Sequence, residues 1–353
     1  MKKLNIFMKI LPLLLSMTVF VACNETDEEI DEGVIEGIDL RAEYDGKVVE
    51  IQKASKGNGI NIVMLGDGYT MRDIEDGSYD AAMRKAAGYL FLLQPMKSLQ
   101  EYFNIYYITA VSMSSALDGQ SAMGCEVYNS IVNGNPTGSI MTQKAKQYVT
   151  KLPGYSPDNT VASIVVNSTG YGGVTYYPWH AGETADYDQL ISYAYTSLHE
   201  SGIDGQKFKN VIQHETVGHG YAKLADEYTY ATTAYSAAPA SYRRLVLSFY
   251  WPHYWYYNIA GYETRNSQLP WNEFLDDSNY SSEALGFYEG ANYYLTGYYR
   301  ATSNSIMRST EGQVKFNAPS RYAIYLRTML VGEGRLPTVE EFKTFDLAHP
   351  DDF

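Results

Sequence analysis

Short apolar runs alternate with segments of helical periodicity along most of the chain. Runs rich in β-branched and aromatic residues predict strands at residues 48–51, 60–65, 103–111 and 160–167. The second and fourth runs are almost continuously apolar, as expected of strands buried on both faces. Helical spacing predicts helices at residues 79–93, 144–149, 189–199, 207–221, 320–330 and 339–345. Strands that alternate with helices indicate a layered α/β fold.

One predicted helix carries an unusual set of polar residues. Residues 211–228 have the sequence VIQHETVGHGYAKLADEY, with His214, Glu215 and His219 on the helix and Asp226 and Glu227 shortly after it. Imidazoles and carboxylates are ligands of zinc, and a free glutamate beside them is the base that activates a zinc-bound water. The residue types therefore predict a Zn²⁺ site with Glu215 as the base.

The histidine spacing differs from the H-E-x-x-H pattern of metalloproteases by one residue. His214 and His219 are five positions apart, and such positions in a regular α-helix point in well-separated directions. A π-bulge absorbs one extra residue, and Gly218 inside the gap makes such a distortion easier. Two outcomes are open: the helix bulges and the rings share a metal, or the rings point apart and there is no metal.

A glycine-flanked aspartate follows the strand predicted at residues 60–65. Asp67 in Gly66-Asp67-Gly68 is expected to cap backbone N–H groups after the strand. A direct catalytic role is the alternative, and it has less support because aspartate between glycines is common in turns.

Composition indicates a globular acidic protein of 353 residues, with formal net charge −14 and a pI near 4.9. No long Lys/Arg run or nucleic-acid motif is present, so nucleic-acid binding is not expected. The 34 tyrosines suit wet binding clefts, although abundant tyrosine is also a compositional habit of exported proteins.

The first residues resemble a bacterial lipoprotein signal. Lysines precede an apolar run at residues 10–22, which ends in Phe20-Val21-Ala22 before Cys23. The resemblance implies a signal peptide at residues 1–22 and a lipid anchor on Cys23 that holds the protein in the bacterial outer membrane, exposed at the cell surface. The acidic stretch that follows predicts a flexible tether at residues 23–45. The remainder, residues 46–353, is expected to form one domain of two lobes. Cys125 then has no intramolecular partner and is expected to be buried.

Three stretches together resemble the bacterial IgA-peptidase family of zinc metallopeptidases. They are IVMLGDGYT at residues 62–70, HETVGHGYAKLADEY at residues 214–228, and NSIMRS at residues 304–309, which is similar to the methionine turn of metzincin-type proteases. The matches occur in the family's order. They imply a metzincin-like domain: a twisted mixed sheet, an active-site helix and an irregular C-terminal lower lobe.

The resemblance also implies roles for individual residues. His214, His219 and Asp226 are the expected Zn²⁺ ligands, with Glu227 as the alternative third ligand, because the family's usual position falls on Ala225. Glu215 is the expected base. Met307 is expected to lie under the site as a hydrophobic support, and Tyr228 either packs there or donates to the oxyanion. Arg308 is expected to pair with Glu227. Residues 174–177 are expected to form an edge strand that binds extended substrate.

The implied function is hydrolysis of peptide bonds in an extracellular protein or peptide, including host glycoproteins. A rival interpretation is a surface lipoprotein that binds protein but has lost its chemistry through the extra residue in the helix. A glycan-binding module is a third interpretation, and it depends on tyrosine abundance alone.

Overall fold

The computed structural model describes residues 34–35, 38–128, 131–133 and 138–351. The expected signal peptide, Cys23 and the first part of the expected tether lie outside these ranges. Closer to the domain, a short ladder pairs residues 34–35 with residues 38–39, and a 3-10 turn follows at Leu40–Glu43. In the described ranges, no helix has the length and apolar character needed to cross a bilayer.

The strands are numbered along the chain. They are β1 (Val34–Ile35), β2 (Ile38–Asp39), β3 (Val48–Gln52), β4 (Ile60–Asp67), β5 (Phe103–Ile108), β6 (Glu126–Tyr128), β7 (Ile131–Asn133), β8 (Thr160–Val166), β9 (Gly173–Tyr176), β10 (Tyr193–Ser197), β11 (Ile259–Ala260), β12 (Tyr288–Ala291) and β13 (Tyr294–Arg300).

Six of these strands form the main sheet, in the order β3-β5-β4-β8-β10-β9. The four central strands are parallel, and β3 and β9 pair antiparallel at the two edges. The mixed sheet and the predicted strands are confirmed, and β9 is an edge strand as expected. A free edge of this kind presents unpaired backbone N–H and C=O groups.

The predicted helix at residues 189–199 is wrong, because this segment contains strand β10. All five residues of β10 are buried, and the strand lies between β8 and β9. A strand covered on both faces loses the alternation of polar and apolar residues that identifies a half-exposed strand. The sequence YAYTS therefore carries no periodic signal for its true conformation.

The helices cover both faces of the main sheet. They are α1 (Met71–Glu75), α2 (Ser78–Tyr89), α3 (Met96–Leu99), α4 (Gly138–Val149), α5 (Gln206–Ile212), α6 (Ala240–Leu245), α7 (Ala318–Glu333) and α8 (Val339–Ala348). One core cluster joins α2, α5 and α7 to alternate residues of β4 such as Ile62 and Met64. The opposite cluster joins α4 to Val63 and Leu65. The alternation within β4 thus divides the core into two layers.

Asp67, at the end of β4, fixes the following loop. Its carboxylate accepts hydrogen bonds from the backbone N–H groups of Gly68, Met123 and Cys125 at 2.8–3.1 Å, and from Ser121 Oγ at 2.8 Å. The side chain is fully buried. These contacts confirm the capping role and leave neither oxygen facing a cleft. Cys125 is buried as expected, and burial raises the pKa of its thiol.

The chain between residues 222 and 317 is irregular, as predicted for the lower part of the molecule. It contains α6, several 3-10 turns and the three-stranded sheet β11-β13-β12. The turn between β12 and β13 places Asn292 and Tyr293 at positive φ, and its tip reaches the segment that follows the helix with His214 and His219. Backbone bonds join this tip to the segment after the helix: Asn292 N to Asp226 O at 2.8 Å and Tyr293 N to Tyr228 O at 3.0 Å.

Candidate active site

The helix that carries the two histidines changes its pitch at the site. Helix α5 continues without interruption into a π-helix at Gln213–Tyr221. Its last turns use bonds between residues five apart or more, including Ala222 N to Val217 O at 2.9 Å. The α-helical pitch would rotate His214 and His219 roughly 140° apart, whereas the wider turn brings them to one side. The predicted bulge is confirmed, and it extends over more than one turn.

Three side-chain atoms converge where the π-helix faces the segment that follows it. His214 Nε2 and His219 Nε2 are 3.1 Å apart, and each is 3.1 Å from Asp226 Oδ1. The three residues are buried or nearly so. A tetrahedral zinc site with bonds of about 2.0–2.1 Å places neighbouring ligand atoms roughly 3.3 Å apart. The observed triangle fits that size.

The outer ring nitrogens show which tautomer each histidine has when its ring is neutral. His214 Nδ1 donates to the carbonyl oxygen of Ile306 at 2.9 Å, and His219 Nδ1 donates to that of Leu224 at 2.8 Å. Because Nδ1 carries the hydrogen, Nε2 of a neutral ring presents a lone pair. The two Nε2 atoms and the Asp226 carboxylate are then three acceptors that face one another. Such a cluster is stabilised by a positive charge between its members, either a proton or a metal ion, and its donor set fits a divalent metal.

The charges of the cluster lead to the same conclusion. Burial opposes protonation of His219, but the adjacent Asp226 carboxylate raises the pKa of this imidazole to about 9. Burial alone would raise the pKa of Asp226, and the two histidines hold it well below its ordinary value. Without a metal the cluster therefore retains a proton. A metal that binds here must displace that proton.

Glu215 lies beside the cluster without entering the triangle. A carboxylate oxygen of Glu215 and the ring nitrogens of both histidines lie within 4.8 Å of one another, wider than the 3.1 Å set that includes Asp226. Thr175 of the edge strand donates to Glu215 Oε2 at 2.9 Å. A Cβ at Gly173 would lie 2.7 Å from Oε1, so only glycine leaves room for this oxygen. Burial raises the pKa of Glu215.

Glu227, the alternative third ligand, points away from the histidines. Its two oxygens accept hydrogen bonds from Ser305 Oγ at 2.8 Å, Asn258 Nδ2 at 3.1 Å and Asn317 Nδ2 at 3.2 Å. Its backbone N–H donates to Met307 O at 2.9 Å. Adjacent residues of an extended segment point to opposite sides, so Asp226 and Glu227 cannot both face the cluster. The structure places Glu227 in the support beneath the site.

The predicted pairing of Arg308 with Glu227 is also wrong. The Glu227 oxygens are occupied by the neutral donors described above, and Arg308 Nη1 donates to the backbone oxygen of Ser303 instead. The rest of the turn agrees with the expectation. Met307 is fully buried and packs against Gly218 of the π-helix, and the neighbouring Ile306 carbonyl orients His214.

Two tyrosines complete the surroundings of the cluster. Tyr228 stacks near His214, with ring centroids 6.5 Å apart and planes at 22°, which agrees with a packing role. Tyr293 was not predicted from the sequence: its hydroxyl donates to Asp226 Oδ2 at 2.6 Å. The asparagine before Tyr293 indicates a turn, but nothing local links that turn to a carboxylate 67 residues away.

The cluster lies between two cavities that form one cleft along β9. Gly173, Glu215, Tyr228 and Tyr230 border both cavities. We call the cavity of about 450 Å³ the aromatic half; its walls include Tyr177, Trp179, Tyr187, Tyr250, Trp255 and Tyr256. We call the cavity of about 430 Å³ the basic half; its walls include Tyr171, Lys207, Val211, His214, Arg308 and Thr310.

Comparison with known proteins agrees with this geometry. A family model described as IgA Peptidase M64 matches residues 49–277 and 263–327, which together include the main sheet, the π-helix and the turn under the site. No curated protein matches the chain.

Proposed function

Because the chain belongs to the IgA peptidase M64 family, a family of peptidases, we propose that it is a zinc-dependent endopeptidase that acts on extracellular protein. The proposed zinc ligands are His214, His219 and Asp226, and the proposed general base is Glu215. The observation that carries the proposal is the triangle of three lone-pair acceptors 3.1 Å apart. Zinc held there would polarise the scissile carbonyl and lower the pKa of a coordinated water toward about 7.

The hydrogen bonding of Glu215 supports its proposed role in proton transfer. Thr175 occupies Oε2, which leaves Oε1 as the oxygen that accepts a proton from the attacking water. The same carboxyl then gives the proton to the leaving amine. Its burial supports this second step, because a raised pKa stabilises the protonated form between the two transfers.

The edge strand β9 supplies a surface for the substrate backbone. The described chain leaves one side of β9 unpaired, and the strand runs beside Glu215 along both halves of the cleft. An extended peptide that adds to β9 would cross the site with its side chains alternating between the cleft and solvent. Main-chain bonds of this kind orient a peptide without selecting its sequence.

The rival interpretation of a protein that has lost its chemistry depended on the extra residue between the histidines. The π-helix absorbs that residue and keeps both rings directed to one point. The reason for expecting an inactive protein is therefore removed.

Location is a further proposal, which depends on sequence alone. We propose that Cys23 carries a lipid that holds the protein on the bacterial outer membrane, facing outward, where host glycoproteins are among the accessible substrates. Labelling of expressed protein with a fatty-acid analogue tests this, because Cys23→Ala should abolish incorporation. Retained label would contradict the proposal.

Replacement of the base tests the proposed function. We expect Glu215→Gln to lower peptide cleavage by about 100-fold or more, while one zinc per chain is retained. Glu200→Gln makes the same chemical change at an exposed position and should leave cleavage unaltered. Cleavage by Glu215→Gln at the wild-type rate would contradict the assigned base. Wild-type protein that holds zinc but cleaves no member of a broad peptide library would contradict the proposed endopeptidase.

A further inference from the structure

The two halves of the cleft differ in charge. Lys207 and Arg308 both line the basic half, whereas none of the described residues that line the aromatic half is lysine or arginine. The chain as a whole has net charge −14. Two cations in one cavity beside the candidate metal cluster are therefore a local exception to the charge of the molecule. The basic half is also lined by Glu215, the proposed base, and by Glu311, which pairs with Lys207. The charge of Arg308 is not balanced in this way, and an unbalanced cation in a cleft attracts anionic groups.

Arg308 has no acidic partner among the described residues. It is exposed, and its Nη1 group donates to the Ser303 carbonyl, which carries no charge. Glu227, the acidic partner expected for Arg308, instead accepts hydrogen bonds from Ser305 and two asparagines. The guanidinium group has five N–H donors, so further donors are free to bind a planar carboxylate in two-point geometry.

Lys207 is held in place by the opposite wall of the same cavity. Its ammonium group donates to Thr310 Oγ1 at 2.8 Å, pairs with Glu311 and lies 5.2 Å from the centre of the Tyr171 ring. The Lys207 side chain is 20% exposed and that of Glu311 is 77% exposed. An ion pair with so exposed an acid contributes little, so a carboxylate in the cavity can replace Glu311 at small cost.

We infer that the basic half binds a carboxylate of the peptide substrate, held by Arg308 and Lys207. This inference rests on the proposed peptidase function and specifies which substrates it takes. The enzyme cleaves preferentially where a carboxylate lies on the basic side of the scissile bond. The carboxylate comes from an Asp or Glu side chain or from the C-terminus of a short peptide, since both have the same charge and shape.

Matched peptides test the inference. Each of the four peptides in a set contains Glu or Gln at one position and ends in a free acid or an amide; the set is repeated with that position moved along the peptide. We expect the wild type to cleave the peptide whose carboxylate reaches the basic half with a kcat/KM about tenfold higher than that of its neutral counterpart. A factor of this size corresponds to one charge-assisted hydrogen bond. A Glu-over-Gln preference identifies a side chain, and an acid-over-amide preference identifies the C-terminus.

Variants assign the preference to the two cations. Arg308→Gln should remove most of it, and Arg308→Glu should reverse it, so that the neutral peptide is cleaved faster than the acidic one. Lys207→Gln should weaken it, and the loop at Thr310 should survive this change, because Asn210 Nδ2 also binds Thr310 O at 2.9 Å and Gly312 O at 2.8 Å. Lys209→Gln and Arg244→Gln are charge-matched controls, because neither residue lines the cleft. Both should keep the wild-type preference.

A binding assay separates failure of this inference from failure of the proposed function. Glu215→Gln protein should bind the acidic peptides about tenfold more tightly than the neutral peptides in a fluorescence titration, whether or not the wild type cleaves them. Cleavage or binding without any preference for an acid would overturn the inference and leave the peptidase intact. Absence of wild-type cleavage, together with preferential acid binding, would overturn the peptidase and leave the carboxylate site intact.

Discussion

Gly218 of the π-helix packs directly on Met307 of the turn beneath it. A Cβ added to Gly218 would lie 2.4 Å from Met307 Sδ and 2.9 Å from Met307 Cε, and Met307 is fully buried. Contact at this distance requires either the methionine or the helix to move. Gly218 thus has two roles. It lies in the distorted turn between the two histidines, and its lack of a side chain lets Met307 approach the helix.

Gly218→Ala is therefore expected to destabilise the fold and the metal site together. Overpacking of a buried contact costs about 1–3 kcal/mol, which should appear as a lower free energy of unfolding in a denaturant titration. Zinc affinity should fall as well, because displacement of the π-helix separates the two imidazoles.

A matched glycine and a second substitution make this prediction specific. Gly88 lies in helix α2, and a Cβ there meets nothing within 4 Å, so Gly88→Ala should be neutral or stabilising. Met307→Ala should relieve part of the Gly218→Ala penalty in the double variant. Strict additivity of the two substitutions would show that the contact does not cause the effect.

Asp226 and Glu227 are adjacent but are expected to respond differently to loss of charge. Asp226→Asn should weaken zinc binding by more than about 100-fold, because it removes the anionic member of the triangle. Glu227→Gln should keep zinc stoichiometry in the folded protein. Its new amide would face the donors of Asn258 and Asn317, which should lower the free energy of unfolding by about 1–3 kcal/mol. The measurements are competition with a zinc chelator and denaturant unfolding; the reverse assignment of the two effects would make Glu227 the ligand.

Tyr293 orients Asp226 through its second oxygen. Without the 2.6 Å bond from Tyr293, Oδ2 loses its partner, and the carboxylate rotates more freely. Tyr293→Phe should therefore weaken zinc binding by about tenfold, as is usual for groups that hold a ligand in place. Tyr242→Phe, at an exposed position on α6, is the control for the loss of a hydroxyl. Unchanged zinc affinity in Tyr293→Phe would limit this tyrosine to packing.

His199 should make stability depend on pH in mildly acidic solution. It is 4% exposed, its Nε2 has no hydrogen-bond partner, and burial, assisted by Lys207, lowers its pKa from 6.5 to about 4. Between these values the unfolded chain binds a proton that the folded chain excludes. The free energy of unfolding should therefore fall as pH falls through that window, with a contribution on the order of 2 kcal/mol.

His199→Asn should flatten this part of the stability profile. Asparagine tolerates the positive φ of 59° at this position, so the substitution changes the titrating group with little backbone strain. Denaturant unfolding between pH 4 and pH 7 is the measurement, with His349→Asn as an exposed control. A slope unchanged by His199→Asn would mean that other groups cause the acid sensitivity.

The cluster of candidate ligands could be predicted from the sequence because most of its residues are close together in the chain. Four of the residues lie within thirteen positions, and the histidine spacing allows a shared metal only if the helix is distorted. What could not be predicted depends on distant or directional contacts. Tyr293 reaches Asp226 only through the small sheet, and whether Asp226 or Glu227 faces the cluster depends on which side of an extended segment each occupies.

The fold shows the same division between local and non-local information. Strands β4 and β8 are long apolar runs, and their sequence predicts strands. Strand β10 is also buried, but its five residues YAYTS form neither a long apolar run nor an alternation of polar and apolar positions. The residues around Arg308 do not indicate which way its side chain points, and its expected partner Glu227 is hydrogen-bonded to Ser305 instead. Because Glu227 does not pair with it, the guanidinium group of Arg308 lines the cleft without an acidic partner among the described residues.

A crystal structure of the zinc-loaded protein, with anomalous diffraction recorded on both sides of the zinc edge, tests the central claim most directly. We predict one strong anomalous peak within about 2.0–2.2 Å of His214 Nε2, His219 Nε2 and Asp226 Oδ1. A zinc-loaded crystal in which the two imidazoles point apart with no peak between them, or in which the peak lies against Glu227, would contradict it.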